Sequence, residues 1–541
     1  MNPTDPSQPA LNRRSFLTRA VSATVAAGGA ALGSGALENS DVLAEELSPG
    51  SRLSRANLAY RIRCKAALGQ RRVHSPAHST NGDEELYPNR IGNYSKGLPH
   101  NSLGEVDAAA YDALRLALRH GRPADFEAIP MGALPPNAQR KLVNPQSALA
   151  FELEGADSHA LAIPPAPTFD SRELVGEIAE NYWMALTRDV HFADYATNPT
   201  TLAAAADLSN LLDFRGTKIG GQVTAQTLFR DVLPGTANGP YLSQFLWLPV
   251  PFGANFVDQQ MRTTLPGVDF MTNYGVWLSI QRGEPPTQSS QFDPVRRYIR
   301  NGRDLSQWVH IDVLFQAYFH AMLILLTPPD ATDANSSGLG VAFDAGNPYA
   351  ASLNQQGFGT FGGPHIATLM CEVSTRALKA VWYQKWSVHR RLRPEAFAGR
   401  VHNHLTGAAQ YPLATDELAR SSAPAAIFAR NGNYLLPMAF PEGSPLHPSY
   451  GAGHATVAGA CVTILKAWFD ESAVIANPVV ASPDGLSLIP YAGPPLTIGG
   501  ELNKLASNVA TGRNIAGVHW RSDAAESLRL GEAIAISVLK D

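Results

Sequence analysis

Residues 455–470 read Ala-Thr-Val-Ala-Gly-Ala-Cys-Val-Thr-Ile-Leu-Lys-Ala-Trp-Phe-Asp, an almost unbroken apolar run without proline. Its length suits a helix rather than a strand, and a helix that is apolar on nearly every side must be enclosed by other elements. Directly ahead of it stands Pro445-Leu446-His447-Pro448-Ser449-Tyr450-Gly451-Ala452-Gly453-His454, a loop of small residues feeding the helix N-terminus. That end presents unpaired backbone N–H groups and the positive end of the helix dipole, and Gly451 and Gly453 let a ligand approach the backbone closely. The loop reads as a seat for an oxyanion with His447 and His454 beside it. The plainer alternative is a glycine-rich helix start carrying two surface histidines.

Two further stretches carry matching chemistry. Residues 382–395 end an apolar-periodic helix that Pro394 is expected to stop, which leaves Lys385 and Arg393 near one helix end. Residues 512–523 hold Arg513 and His519. Together these stretches offer an ammonium, two guanidinium forks, imidazoles and a glycine amide. An enzyme that holds a tetrahedral or five-coordinate oxyanion needs this inventory.

Lys-x7-Arg-Pro at Lys385–Pro394, His-Pro-Ser-Tyr-x-x-Gly-His at His447–His454 and Arg-x3-Gly-x-His at Arg513–His519 follow one another in that order. They resemble the three signature segments of vanadium-dependent haloperoxidases, most closely the bromoperoxidase branch. That branch shares its vanadate site with acid phosphatases related to type-2 phosphatidic acid phosphatases. Flanking words are similar too: Gly97-Leu98-Pro99-His100, residues 297–304, Thr360-Phe361-Gly362-Gly363-Pro364-His365 and residues 373–381. The likeness runs from about Leu53 to the C-terminus.

The resemblance implies vanadate as cofactor, with His519 as its axial metal ligand. It implies that Lys385, Arg393 and Arg513 bind the vanadate oxygens, that Gly453 donates its backbone N–H, and that His454 is the acid–base group opposite. His447 matches an additional active-site histidine of the branch. One position departs from the pattern: Ala452 stands where many members carry a serine whose hydroxyl contacts a vanadate oxygen. One neutral hydrogen bond is worth ~0.5–1.5 kcal/mol net, too little to empty a site with three cations.

The implied activity is oxidation of bromide, or else iodide or chloride, by hydrogen peroxide to hypohalous acid, which halogenates small organic substrates. Lys385 would polarise the oxygen that halide attacks. A competing reading is an exported acid phosphatase using the same cations, with His519 as nucleophile and His454 as general acid. A third, suggested by Ala452 alone, is an oxyanion-binding protein without turnover. Gln384 adjoins the lysine, but no local rule converts it into halide selectivity.

Around these motifs the chain reads as all-α, helical bundles joined by long irregular loops, with short strand signals chiefly at 246–250. Helices are expected over 105–120, 172–189, 200–212, 307–326, 500–512 and 524–538, the last with a capping box from Ser522 or Asp523 to Glu526. The 307–326 helix is the most apolar, interrupted by His310, Asp312, Gln316 and His320. Asp312 or His310 could brace an active-site arginine, or merely line a solvent channel or bond to backbone. The irregular connectors 328–364 and 401–444 are expected on the rim of the active-site channel, and 482–495 turns at Pro483-Asp484-Gly485.

Residues 51–68 form a basic helix candidate that in the family is a contact between subunits, which implies a homo-oligomer; the alternative is a solvated helix on its own domain. A net charge of −4 excludes a nucleic-acid partner on electrostatic grounds, and no stretch has the makings of a membrane anchor. Cys64, Cys371 and Cys461 are too widely spaced for a zinc or redox motif, and a single disulfide stays open. Asn12-Arg13-Arg14-Ser15-Phe16-Leu17 and the small-residue stretch after it resemble a twin-arginine export signal. The expected division is therefore a leader over 1–44 and a single exported domain over 45–541 with an N-terminal arm, periplasmic or extracellular.

Overall fold

The computed structural model describes residues 52–540 except 133, 136, 137 and 334–336. The expected leader at 1–44 lies outside them. The helices that build the molecule are α1 (Arg52–Arg72), α2 (Ala108–His120), α3 (Arg172–Leu186), α4 (Pro199–Asn210), α5 (Gly302–Trp308), α6 (Gln316–Leu326), α7 (Gly363–Trp382), α8 (Pro394–Leu405), α9 (Gly453–Trp468), α10 (Ile498–Ile515) and α11 (Arg521–Lys540). Caps mark their starts: Asp107, Ser171 and Asn198 each accept a backbone N–H from the first turn that follows.

The apolar run of the sequence is α9, enclosed by α7, α10 and α11 and buried except at His454, Lys466 and Ala467. Its closest neighbour is α11. A Cβ on Gly459 would stand 2.1 Å from Leu528 O, and one on Gly531 would stand 2.0 Å from Thr456 O. Backbone therefore touches backbone, which only glycine at both positions permits. The few strands form three antiparallel ribbons: Val250–Phe252 with Asn255–Val257, Met261–Thr264 with Phe292–Arg297, and Val479–Ala481 with Leu488–Pro490. The first begins where the expected 246–250 strand ends, because Gln244–Leu246 is a 3-10 turn. The third closes through Asp484, whose Oδ1 accepts from Ser482 Oγ and Leu486 N, with Gly485 at φ 71°. The fold is all-α in the sense expected.

Several local expectations are corrected. The 307–326 segment is not one helix. It breaks between α5 and α6 because Val309 O accepts from Arg513 Nη1 at 2.8 Å and Asp312 turns to His454 instead of continuing the helical ladder. The last helix starts earlier than 524: Trp520 N donates to Asp523 Oδ2 at 3.1 Å, so Asp523 sits in the first turn instead of capping it, and Glu526 pairs with Arg529.

The 328–364 connector is at the wrong end to rim the site. Asp344 N donates to Trp468 O, and Phe343 pairs with Phe469, at the far end of α9 from Gly453. At 1.5 Å per residue, the two ends of α9 are about 22 Å apart. The 401–444 connector is partly helical, at Thr415–Leu418 and Ala423–Asn431, and its last residues do reach the site.

No helix among the described residues is long and apolar enough to cross a membrane. The three cysteines are unpaired. On α1, Tyr60, Ile62 and Leu68 are exposed.

Candidate active site

α7 continues into a π-helical turn, Tyr383–His389, that ends at Arg390 in left-handed geometry (φ 41°). Pro394 does not stop that helix. It opens α8, where its missing N–H costs nothing and its ring holds Arg393 extended (φ −88°, ψ 155°) at the N-cap. The wide turn delivers Lys385, and the extended residue delivers Arg393.

Both side chains reach into the 445–454 loop. Lys385 Nζ donates to Pro448 O (2.7 Å) and Ser449 O (3.0 Å). Arg393 donates from Nε and Nη2 to His447 O, and its Nη2 lies 2.9 Å from His447 Nδ1. Its Nη1 donates to Val518 O (2.7 Å) and faces His519 Nε2 at 3.0 Å. Arg513, from the last turn of α10, lies over the Phe440 ring at 5.5 Å.

Gly453 is the first residue of α9, so its amide has no acceptor within the helix. A Cβ there would press on Trp382 at 3.3 Å, and Trp382 in turn lies tilted against the His447 ring, centroids 4.8 Å apart. The structure thus gathers Lys385, Arg393, His447, Gly453, Arg513 and His519 around one point, with His454 beside them.

Three buried cations lie together at this point without a carboxylate paired to any of them. The buried Arg188 is neutralised by Asp269, and the buried Arg391 by Glu177 and Asp523. Lys385, Arg393 and Arg513 are equally buried, and among the described residues none of them forms a salt bridge. Burial, reinforced by Arg393, pushes Lys385 well below its ordinary value. Burial also lowers Arg393 and Arg513 to about 10. Buried charge without a partner is costly, and Arg513 Nε has no acceptor at all. The residues fit a tetrahedral or five-coordinate anion.

They do not fit a bare cation. Among the described residues no group of three or more His, Cys, Asp or Glu side chains is arranged to hold a metal ion. Burial, then the neighbouring cations, push His447 and His519 well below the usual imidazole range, so both are neutral. His519 Nδ1 lies 2.9 Å from Asp523 Oδ2. A carboxylate only accepts, so the ring proton is on Nδ1, and Nε2 turns its lone pair towards the cations.

His454 differs from the rest. About a quarter of its side chain is exposed, and its Nε2 lies 2.9 Å from Oδ1 of the nearly buried Asp312. The expectation that Asp312 or His310 braces an arginine is corrected: the carboxylate holds the histidine. His310 instead pairs with Glu442 (2.6 Å) and stacks flat on Phe440 at 3.8 Å. Asp312 and Glu442 both lend negative charge to Arg513 from a distance. Sequence reasoning missed Trp382, Phe440, Glu442 and the role of Asp523. The spacing of His519 and Asp523, four apart at a helix start, was the signal for the last of these.

Residues 373–541 match the family model of the VCPO second helical-bundle domain. The chain is 38% identical to the vanadium-dependent bromoperoxidase of Corallina pilulifera over 90% of its own length and 95% of that protein's. It belongs to the vanadium-dependent bromoperoxidase family. A second member of that family, from Ascophyllum nodosum, is 38% identical over 85% of this chain and 83% of its own length.

The bromoperoxidase likeness extends to three dimensions. The homohexameric structure of the second vanadate-dependent bromoperoxidase of Ascophyllum nodosum superposes with a TM-score of 0.84 at 34% identity, covering 90% of this chain and 85% of that one. The bromoperoxidase fold therefore extends ahead of residue 373, to the segments that carry α3 and Asp312.

Proposed function

We propose that this bromoperoxidase-family chain binds vanadate and oxidises bromide with hydrogen peroxide to hypobromous acid, or its equivalent, which brominates small organic compounds. The observation that carries the reading is three neighbouring buried cations without a salt bridge, of which Arg393 faces the lone pair of His519 Nε2 at 3.0 Å. His519 would be the metal ligand, Lys385, Arg393 and Arg513 would hold the oxygens, and the Gly453 N–H would donate at the helix N-terminus. Bound vanadate would supply Lewis acidity towards peroxide without changing oxidation state.

His454 donates Nε2–H to Asp312, which leaves the lone pair on Nδ1 to accept the proton that peroxide gives up. His447, held against Arg393 and Trp382, keeps that guanidinium in register. Lys385, whose ammonium lies over the Trp382 ring at 5.7 Å, would hold and polarise an oxygen of the bound group.

Monochlorodimedone halogenation by the purified protein tests this, with and without orthovanadate, in bromide, chloride and iodide. Orthovanadate-dependent bromination is expected. Turnover indifferent to orthovanadate, or hydrolysis of phosphate esters without any halogenation, would return the protein to the acid phosphatase reading.

Three further elements belong to the same proposal: a twin-arginine leader over 1–44, one exported domain over 45–541, and a homo-oligomer. The last draws support from the homohexameric relative and from the apolar side chains exposed on α1.

Ala452 is the N-cap of α9 and offers no side-chain cap, while its own N–H donates to Ser527 Oγ at 2.7 Å. A serine hydroxyl there could accept from the first turn and donate to an oxyanion oxygen at once. Ala452→Ser is expected to raise orthovanadate affinity about threefold to tenfold, as one added hydrogen bond of ~0.5–1.5 kcal/mol implies. A fall in affinity by titration calorimetry would show that the loop is packed around the methyl group.

A further inference from the structure

Behind His519 stands a second layer of buried charge, built on α3. Asn181 Nδ2 donates to Asn514 O and to His519 O, 3.1 Å each, so one amide spans the turn that joins Arg513 to His519. One helical turn earlier on the same face, Glu177 accepts from Arg391 Nη2 at 2.8 Å and from Ser522 N. Arg391 gives its other arm to Asp523 Oδ1 and to Ser522 Oγ, both at 2.8 Å. The second oxygen of Asp523 takes His519 Nδ1. Arg391, Glu177 and Asp523 are all buried, and the guanidinium lies over Trp520 at 5.0 Å. Both arms of Arg391 are spent on carboxylates, so it adds no free charge to the oxyanion seat.

We propose that Arg391 is the positioning residue of the ligand histidine: by bridging Glu177 of α3 to Asp523 of α11, it locks the carboxylate that sets which nitrogen of His519 is free. The inference rests on the reading of His519 as the vanadate ligand. A carboxylate tied by one oxygen to a planar fork cannot rotate without breaking that bond, so its second oxygen stays aimed at Nδ1. An imidazole without a fixed Nδ1 acceptor populates both neutral tautomers, and the Nε2–H form has no lone pair at the ligating atom. Partners in this outer position typically change metal affinity by about 10- to 100-fold. Lysine cannot replace the fork, because a single ammonium does not span two carboxylates held on opposite sides.

The test uses the full chain, loaded and unloaded. Arg391→Lys is expected to weaken orthovanadate binding by about 10-fold or more, read by titration calorimetry. In the vanadate-free protein, nitrogen-15 NMR should show His519 shifting from the Nδ1–H form to a mixture. Parent-like affinity together with an unmixed Nδ1–H tautomer would overturn the proposal. If Arg391→Lys does not fold, Glu177→Gln carries the test. It keeps the shape but releases the outer arm of the fork, and it should weaken binding about threefold or more with the same tautomer shift. Parent-like binding and tautomer in that variant would likewise overturn it. The parent is the control: a parent chain that ignores orthovanadate sinks the proposed function, whereas the tautomer of the vanadate-free protein reports on Arg391 alone.

Discussion

Protein carrying His519→Ala is expected to leave a desalting column with vanadium at background. Asp523 holds the ring proton of this imidazole on Nδ1, so its Nε2 presents a lone pair towards Arg393, and Arg393 and Arg513, though lowered to about 10, remain protonated at neutral pH and cannot ligate. His447 is a poor substitute, because its Nδ1 lies between a donor, Arg393 Nη2, and an acceptor, Pro448 O, with no carboxylate to fix its ring proton as Asp523 does for His519. The cations would still attract an oxyanion, so weak, reversible binding persists while the covalent attachment goes. A loss on the order of a thousandfold, ~4 kcal/mol at 1.4 kcal/mol per factor of ten, is the expected scale. One vanadium per chain retained by the variant would show that the ligand lies elsewhere.

His454→Ala should behave in the opposite sense: vanadate stays, turnover goes. A positioned general base contributes roughly 10²–10⁴-fold, so kcat/KM for peroxide is expected to fall by about a hundredfold at least. A general base works only with its lone pair available, so the variant should lose whatever acidic limb the parent's peroxide-dependent rate shows. His447 and His519 cannot supply such a limb, because burial and the adjacent cations hold both well below the ordinary imidazole range. Asp312→Asn should move the profile in the same direction with a smaller loss, since it weakens the anchor and leaves the base. Near-normal turnover with an unchanged pH profile in His454→Ala would make that residue a packing group and transfer its role to His447.

The motif residues were legible because each combines a distinctive side chain with a local backbone signal: a proline after Arg393, glycines before His454, an apolar helix behind them. What was illegible came from partners far away in sequence. Residues 307–315, Gln-Trp-Val-His-Ile-Asp-Val-Leu-Phe, carry helical periodicity, and nothing in them announces the break. The break is made by Arg513 and His454, which claim Val309 O and Asp312. Asp523 carries a capping signature, and from within the first turn of α11 it does accept from Trp520 N. The same carboxylate oxygen also takes His519, a second use that a local pattern cannot reveal. The 328–364 connector was misplaced for a simpler reason. It precedes the helix that leads to Lys385, but twenty residues of helix set its two ends about 30 Å apart.

The glycine contact between α9 and α11 reaches further than packing. Gly453 stands at the head of one helix and His519 just ahead of the other, and Ala452 N is tied to Ser527 Oγ beside them. The spacing of the two helix axes therefore acts as a gauge for the aperture between the amide and the imidazole. Gly459 and Gly531, more than a turn down each helix, set that gauge at its minimum. A larger side chain at either position would alter the width of the reactive centre without touching any residue that lines it, so this chain is constrained along the helix pair and not only at its mouth.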